Sequence, residues 1–327
     1  VKKGHGQMNH ETSDLFSYRG DDLGDEGYSV YKHLRDSELC EGDRAYINEL
    51  WRQFQSLGLA DPSFVERFRA ECPARIWEMR LACTLTNWGI KLIPSKDPGA
   101  GMDFGIDLNE GGRALWIEAT VPLPGDEKSE DRVSVPQCQA IFGNELDRTT
   151  ALRYLNSINN KRRQFSRALT SGLVAPDDGV IIAISGSYLP ERERSGSFPL
   201  IVKALFGLGE PTFVTEIGSG RVRRGPSERR PSFRKSSGKD VSARLFCSTE
   251  ADEITGVLFD QPHVKNRPEV YGRPAGDDFV LVHNPFARLP LIEGQFRCGR
   301  EYHNVINCID HRNSFGGNAQ AEEQHEE

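Results

Sequence analysis

The stretch Met102-Asp103-Phe104-Gly105-Ile106-Asp107-Leu108-Asn109-Glu110-Gly111-Gly112-Arg113-Ala114-Leu115-Trp116-Ile117-Glu118-Ala119-Thr120 decides how this chain is read. Asn109-Glu110-Gly111-Gly112 is turn chemistry between two runs of alternating character. A two-residue loop at Glu110-Gly111 or at Gly111-Gly112 would close an antiparallel pair. The first register pairs Asn109 with Gly112 and sets Asp103 directly opposite Glu118, with Cβ atoms about 5 Å apart. The second makes the two acids diagonal neighbours. In either, Phe104, Ile106 and Leu108 share a face with Leu115, Ile117 and Ala119, while Asp103 and Asp107 share the other with Trp116, Glu118 and Thr120. One face reads as core and the other as acidic. Carboxylates this close repel unless a cation or a shared proton neutralises them, so the pair asks for a metal; an ordinary wet hairpin face is the structural alternative.

The flanks bear on that choice. Pro73 to Gly89 reads as a helix that opens with proline, closes at glycine and is apolar over most of its surface. Glu78 lies one turn before Ala82 and two before Leu85, which points it along a packing face, either as part of a site or in a buried pair with Arg75 or Arg80. Asp147 to Ser171 reads as a long helix with Leu152, Leu155, Ile158, Phe165 and Leu169 as its apolar stripe. Lys161 and Gln164 border the stripe, so Lys161 either leans over the sheet or snorkels to solvent. Gly179 to Ile184 is a continuous apolar run of the kind a buried central strand needs.

This order of elements, with Trp77-Glu78 on the first core helix, Gly101-Met102-Asp103-Phe104 opening one strand and Ile117-Glu118-Ala119-Thr120 on the next, resembles the PD-(D/E)XK nuclease superfamily. The resemblance implies an α/β fold of the restriction-endonuclease-like type, a mixed central sheet flanked by helices, here with an N-terminal helical extension. It implies Asp103 and Glu118 as metal-binding acids, Glu78 as a further acid from the first helix and the main-chain carbonyl of Ala119 as another ligand. Two positions depart from the pattern: Met102 stands for the proline before the aspartate, and Thr120 for the lysine two residues after the glutamate. In this superfamily a neighbouring helix can supply that lysine, and Lys161 stands in such a place, with Gln164 as a second polar candidate. The implied activity is phosphodiester hydrolysis with Mg²⁺ or Mn²⁺, in DNA. The alternative is a catalytically inactive nucleic-acid-binding or assembly protein of the same fold.

Around this core, residues 1–24 and the acidic 312–327 are expected to be disordered. Residues 25–72 read as a helical extension, with Ile47, Leu50, Phe54 and Leu57 spaced for one buried face, and residues 73–311 as one α/β domain. A chain of 327 residues that is 37% hydrophobic can bury a full core. Within the domain, 221–239 reads as a basic loop that carries Arg221, Arg223, Arg224, Arg229, Arg230, Arg234, Lys235 and Lys239 against the lone acid Glu228. It is either a phosphate-binding strip or a solvated linker. A net charge of −7 excludes a protein coated in nucleic acid but is compatible with one local strip.

Glu253–Phe259 and Asp278–Pro285 read as two further strands, and His283 either meets a phosphate or caps a turn. Seven cysteines with no CxxC pair point to reduced thiols in a cytoplasmic setting. Cys298, His303, Cys308 and His311 match no zinc spacing. There is no apolar run of about 18 residues for a membrane span, and no signal peptide at Val1. No Walker A loop, G-x-S-x-G or dinucleotide fingerprint competes, and Ile217-Gly218-Ser219-Gly220 is too short to cradle a nucleotide. Double-strand cleavage commonly needs two active sites, which leaves a homodimer open.

Overall fold

The hairpin takes the first register. In the computed structural model, β2 (Phe104–Asp107) pairs antiparallel with β3 (Ala114–Thr120) as Phe104 with Ile117, Gly105 with Trp116, Ile106 with Leu115 and Asp107 with Ala114. One further step sets Asp103 across from Glu118, and the Asp103 N–H donates to the Ile117 carbonyl at 3.3 Å. The structure describes residues 14–18, 26–95, 102–108, 112–134, 144–190, 198–260, 268–303 and 305–306, so the turn at 109–111 lies outside the described residues.

The hairpin belongs to a mixed seven-stranded sheet of order β1-β2-β3-β4-β9-β10-β11, with β1 at Leu92–Pro94, β4 at Gly179–Ser185, β9 at Ile254–Asp260, β10 at Val280–His283 and β11 at Arg300–Tyr302. β3, β4 and β9 run parallel, and β3 reaches β4 through the long helix α5 (Asn144–Thr170), because parallel neighbours need a crossover. Asp178, just before β4, fixes the start of β3. Its carboxylate accepts from the Ala114 N–H at 2.7 Å, the Trp116 indole at 2.9 Å and the Ala175 N–H at 2.8 Å.

Helices cover both faces, which corrects the reading of one core face and one acidic face. Leu115, Ile117, Ile181 and Leu258 pack toward the N-terminal helices; Trp116, Val180, Ile182 and Val257 pack toward α5 and α6 (Leu200–Phe206). Alternation still sorts the side chains, but both sides are dry.

The extension is helical as expected, with α1 (Glu26–Asp36), α2 (Glu41–Ser56) and α3 (Phe64–Ala70). It packs on α4 (Cys72–Asn87), whose Trp77 indole donates to the Ala183 carbonyl of β4 at 3.0 Å. α4 opens with Pro73 and ends at Gly89, whose φ of 86° lets the Ile90 N–H turn back to the Leu85 carbonyl at 3.1 Å. Within the 1–24 segment, residues 14–18 are ordered, contrary to expectation. Leu15 and Phe16 are buried, and Tyr31 donates its hydroxyl to the Leu15 carbonyl at 3.2 Å. The rest of that segment and 312–327 lie outside the described residues.

The 221–239 segment corrects a second expectation. Instead of a loop it supplies β6 (Val222–Arg229), paired antiparallel with β5 (Leu208–Thr215), and β7 (Ser232–Arg234), paired with β8 (Asp240–Ser242). Gly218, at φ 102°, and Gly220, at φ 66°, turn the first hairpin. Among the described residues no helix is long and apolar enough to cross a membrane.

Candidate active site

β2 and β3 deliver Asp103 and Glu118 side by side, α4 brings Glu78 from one face of the sheet, and α5 brings Lys161 and Gln164 from the other. Glu78, Asp103, Ala119, Thr120, Lys161 and Gln164 line one cleft of about 550 Å³; Glu118 does not line it and meets it only through its ion pair with Lys161. Asp107, three residues beyond Phe104 on β2, does not line it.

Glu118 is fully buried. Its Oε2 accepts from the Lys161 ammonium at 2.5 Å, while Oε1 has no hydrogen-bond partner among the described residues. A buried carboxylate oxygen left bare costs on the order of 1–3 kcal/mol, a cost that a proton, a donor or a cation would each relieve. Asp103 is half-buried, and its Oδ2 accepts from the Ala119 N–H at 2.7 Å, which holds the carboxylate against β3. Lys161 therefore leans over the sheet from α5, and it lines the cleft together with Thr120.

Glu78 takes the buried pairing weighed from the sequence. Arg75 Nη1 donates to it at 2.6 Å, and the same guanidinium grips Glu71 through Nη2 at 2.5 Å and Nε at 3.0 Å. Three carboxylates, Glu78, Asp103 and Glu118, thus face two cations, one of them shared with Glu71. Burial, with the charge of Asp103, pushes Glu78 and Glu118 each up to about 8, against the pull of Arg75 and Lys161 respectively. Burial works against the Lys161 ammonium too, but Asp103 and Glu118 outweigh it and raise its pKa, so the lysine stays charged.

As the side chains stand, Arg75 and Lys161 occupy two of the acids, and among the described residues no group of three or more His, Cys, Asp or Glu could enclose a metal ion. The donor set still suits a hard cation that keeps several waters. It offers the bare Glu118 Oε1 and the Asp103 carboxylate across the hairpin from it, the latter already accepting from the Ala119 N–H.

The sequence missed the outer wall of the cleft. Leu59, Asp61, Pro62 and Arg67 of the extension line it, with Arg67 Nη2 on Asp61 at 2.5 Å. The spacing of Glu71, Arg75 and Glu78, one helical turn apart each, was the available signal.

Other sequence candidates fall elsewhere. His283 is buried on β10, 2.6 Å from Glu301 of β11, which fits a structural tie instead of a phosphate contact. Cys298 is held protonated by burial, its pKa pushed up to about 12, and His303 faces Glu293 at 3.4 Å; Cys308 and His311 lie outside the described residues. Arg221, Arg223, Arg229, Arg230, Arg234 and Lys235 lie on or beside the two hairpins and do not line the cleft; of the Arg224 side chain nothing is described. Comparison of the chain with protein-family models, with curated proteins and with solved structures finds no match.

Proposed function

We propose that this chain is a metal-dependent nuclease of the PD-(D/E)XK, restriction-endonuclease-like type that hydrolyses phosphodiester bonds in DNA. The observation that carries the reading is the Lys161 ammonium, 2.5 Å from Glu118 Oε2, reaching the acidic pair from a helix that follows it in the chain. A lysine that only solvated α5 would point away from the sheet.

Asp103 and Glu118 would hold Mg²⁺ or Mn²⁺ with the Ala119 carbonyl, and Glu78 would be drawn in by giving up Arg75. Such an ion supplies charge neutralisation at the phosphate and a more acidic water. The chain's own groups do the rest. Lys161 orients the attacking water and faces the charge that develops on the phosphoryl oxygens, a fixed donor in a poorly solvated place. Gln164, one turn on along α5, offers a neutral donor to the same phosphate. Arg75 pairs with Glu78 and offsets part of the cost of its buried charge. The arginines of 221–235 would neutralise phosphates farther along the nucleic acid.

The test is cleavage of a mixed panel of DNA and RNA substrates with Mg²⁺ or Mn²⁺, beside Asp103→Ala purified identically. DNA cleavage that disappears in the variant is the expected result. No cleavage by either protein, with binding retained, would favour the inactive binding module.

A further inference from the structure

Four of the nine large hydrophobic side chains exposed among the described residues, Phe213, Val214, Ile217 and Val222, sit on one element, the β5–β6 ribbon. β5 starts buried at Leu208 and Gly209, and from Thr212 to Thr215 every residue is exposed. The distal ribbon therefore stands clear of the body by about 14 Å, at roughly 3.4 Å per residue. Phe213 pairs across with Arg224 and Val214 with Arg223, so the apolar side chains point to opposite faces. At the tip Arg221 and Arg223 are exposed, with Arg223 on Glu216 at 3.1 Å.

Apolar side chains clustered on one exposed ribbon suit an interaction surface, and three features bear on which partner. Strand addition by another chain is disfavoured, because Pro211 and Pro226 remove a donor from each strand. A second copy of this protein would have to bury the tip arginines of both copies against each other. Cations interleaved with apolar side chains on a two-stranded ribbon suit a nucleic-acid groove, since the major groove of B-DNA admits such a ribbon. The neighbouring hairpin is tied, through Asp131, to the long helix α5 that also carries Lys161. The Ser236 N–H donates to Asp131 Oδ1 at 3.1 Å, and Arg148 of α5 binds the same carboxylate at 2.9 Å. Arg148 and Lys161 are thirteen residues apart on α5, about 20 Å, or about six base pairs of duplex.

We propose that the β5–β6 ribbon is an arm that enters a groove of duplex DNA, with Arg221 and Arg223 on phosphates and Phe213 and Ile217 against the apolar surface of the groove. The proposal rests on the reading of the cleft as a phosphodiester site, and it narrows the substrate to a duplex.

Binding is measured with uncleaved complexes, in the Asp103→Ala background, to a labelled duplex and to its single strand across a salt series. Arg221→Ala with Arg223→Ala should raise the duplex Kd about tenfold and flatten the log–log salt dependence by about 2, at roughly 0.9 per phosphate contact. Phe213→Ser with Ile217→Ser should raise the Kd several-fold at an unchanged salt slope. Both double variants should keep the parent's thermal midpoint, because the altered side chains are exposed. Unchanged duplex affinity, no duplex binding by the parent, or equal losses on the single strand would each overturn the arm. So would a dimer that Phe213→Ser with Ile217→Ser dissociates while duplex binding stays intact. Cleavage with arm-independent binding sinks the arm alone; arm-dependent duplex binding by a wild-type protein that cleaves nothing sinks the nuclease reading alone.

Discussion

Helix α4 carries two buried charge clusters two residues apart, and they behave differently. Glu78 faces the cleft, while Arg80 ties the helix to the far half of the sheet. Its guanidinium donates to Asp260 at the end of β9, and to Asp278 just before β10 at 2.9 Å and 3.1 Å. It also lies 5.2 Å from the Phe279 ring centroid. Burial lifts the Asp260 carboxyl well above its ordinary range, against the pull of Arg80. Neither Arg80 nor its two partners line the cleft. Both clusters hold more acids than bases, and both leave a carboxylate oxygen bare, Glu118 Oε1 in one and Asp260 Oδ1 in the other. Burying charge is therefore no sign of chemistry on its own. What separates the cleft is access to solvent, and acids from two strands and a helix that meet a lysine from a fourth element.

The comparison can be broken at either end. Asp103→Ala should lower cleavage about 10³-fold or more, roughly 4 kcal/mol of transition-state stabilisation, with little change in thermal midpoint. Arg80→Met should do the reverse. It strands two buried carboxylates and should cost about 3–5 kcal/mol in urea unfolding, with the residual folded protein still cleaving. Lys161→Met should lower cleavage about 10²-fold, and adding Thr120→Lys should restore part of it by returning the ammonium along β3. Such a rescue would be hard to explain if Lys161 only stabilised the fold.

The smallest effect is on pH. Glu78 and Glu118 titrate near 8 in the fold against an ordinary 4.5, so between those values the folded state holds protons the unfolded chain has released. In chelator, the contribution of these two groups to stability should be greatest below about pH 4.5 and fall as the pH climbs to about 8, by at most about 1.4 kcal/mol per pH unit for each proton. Glu118→Gln should flatten that slope. Added Mg²⁺ should raise the thermal midpoint more at pH 8 than at pH 6, because it competes with those protons.

Much of the site was legible because its signals are local. The turn chemistry and the count across it put Asp103 opposite or diagonal to Glu118, and helical spacing put Glu78 on a packing face and Lys161 at the border of one. The dryness of the Glu118 face was not legible. It depends on a lysine 43 residues away and on helices that alternation within one strand cannot report. The 221–239 hairpins were hidden for a related reason. Arginine, glycine, serine and proline are poor strand formers, and β6 exists through its pairing with β5 instead of through a core of its own. The three-residue edge strands β1 and β11 are too short to show a period.

The most direct test of the cleft is Mn²⁺ binding followed by electron paramagnetic resonance, in wild type and in Glu118→Gln and Asp103→Asn. The account predicts saturable binding by the wild type that both variants lose while their thermal midpoints hold or rise. Binding by the variants equal to that of the wild type, or none by a folded wild type at millimolar Mn²⁺, would contradict it.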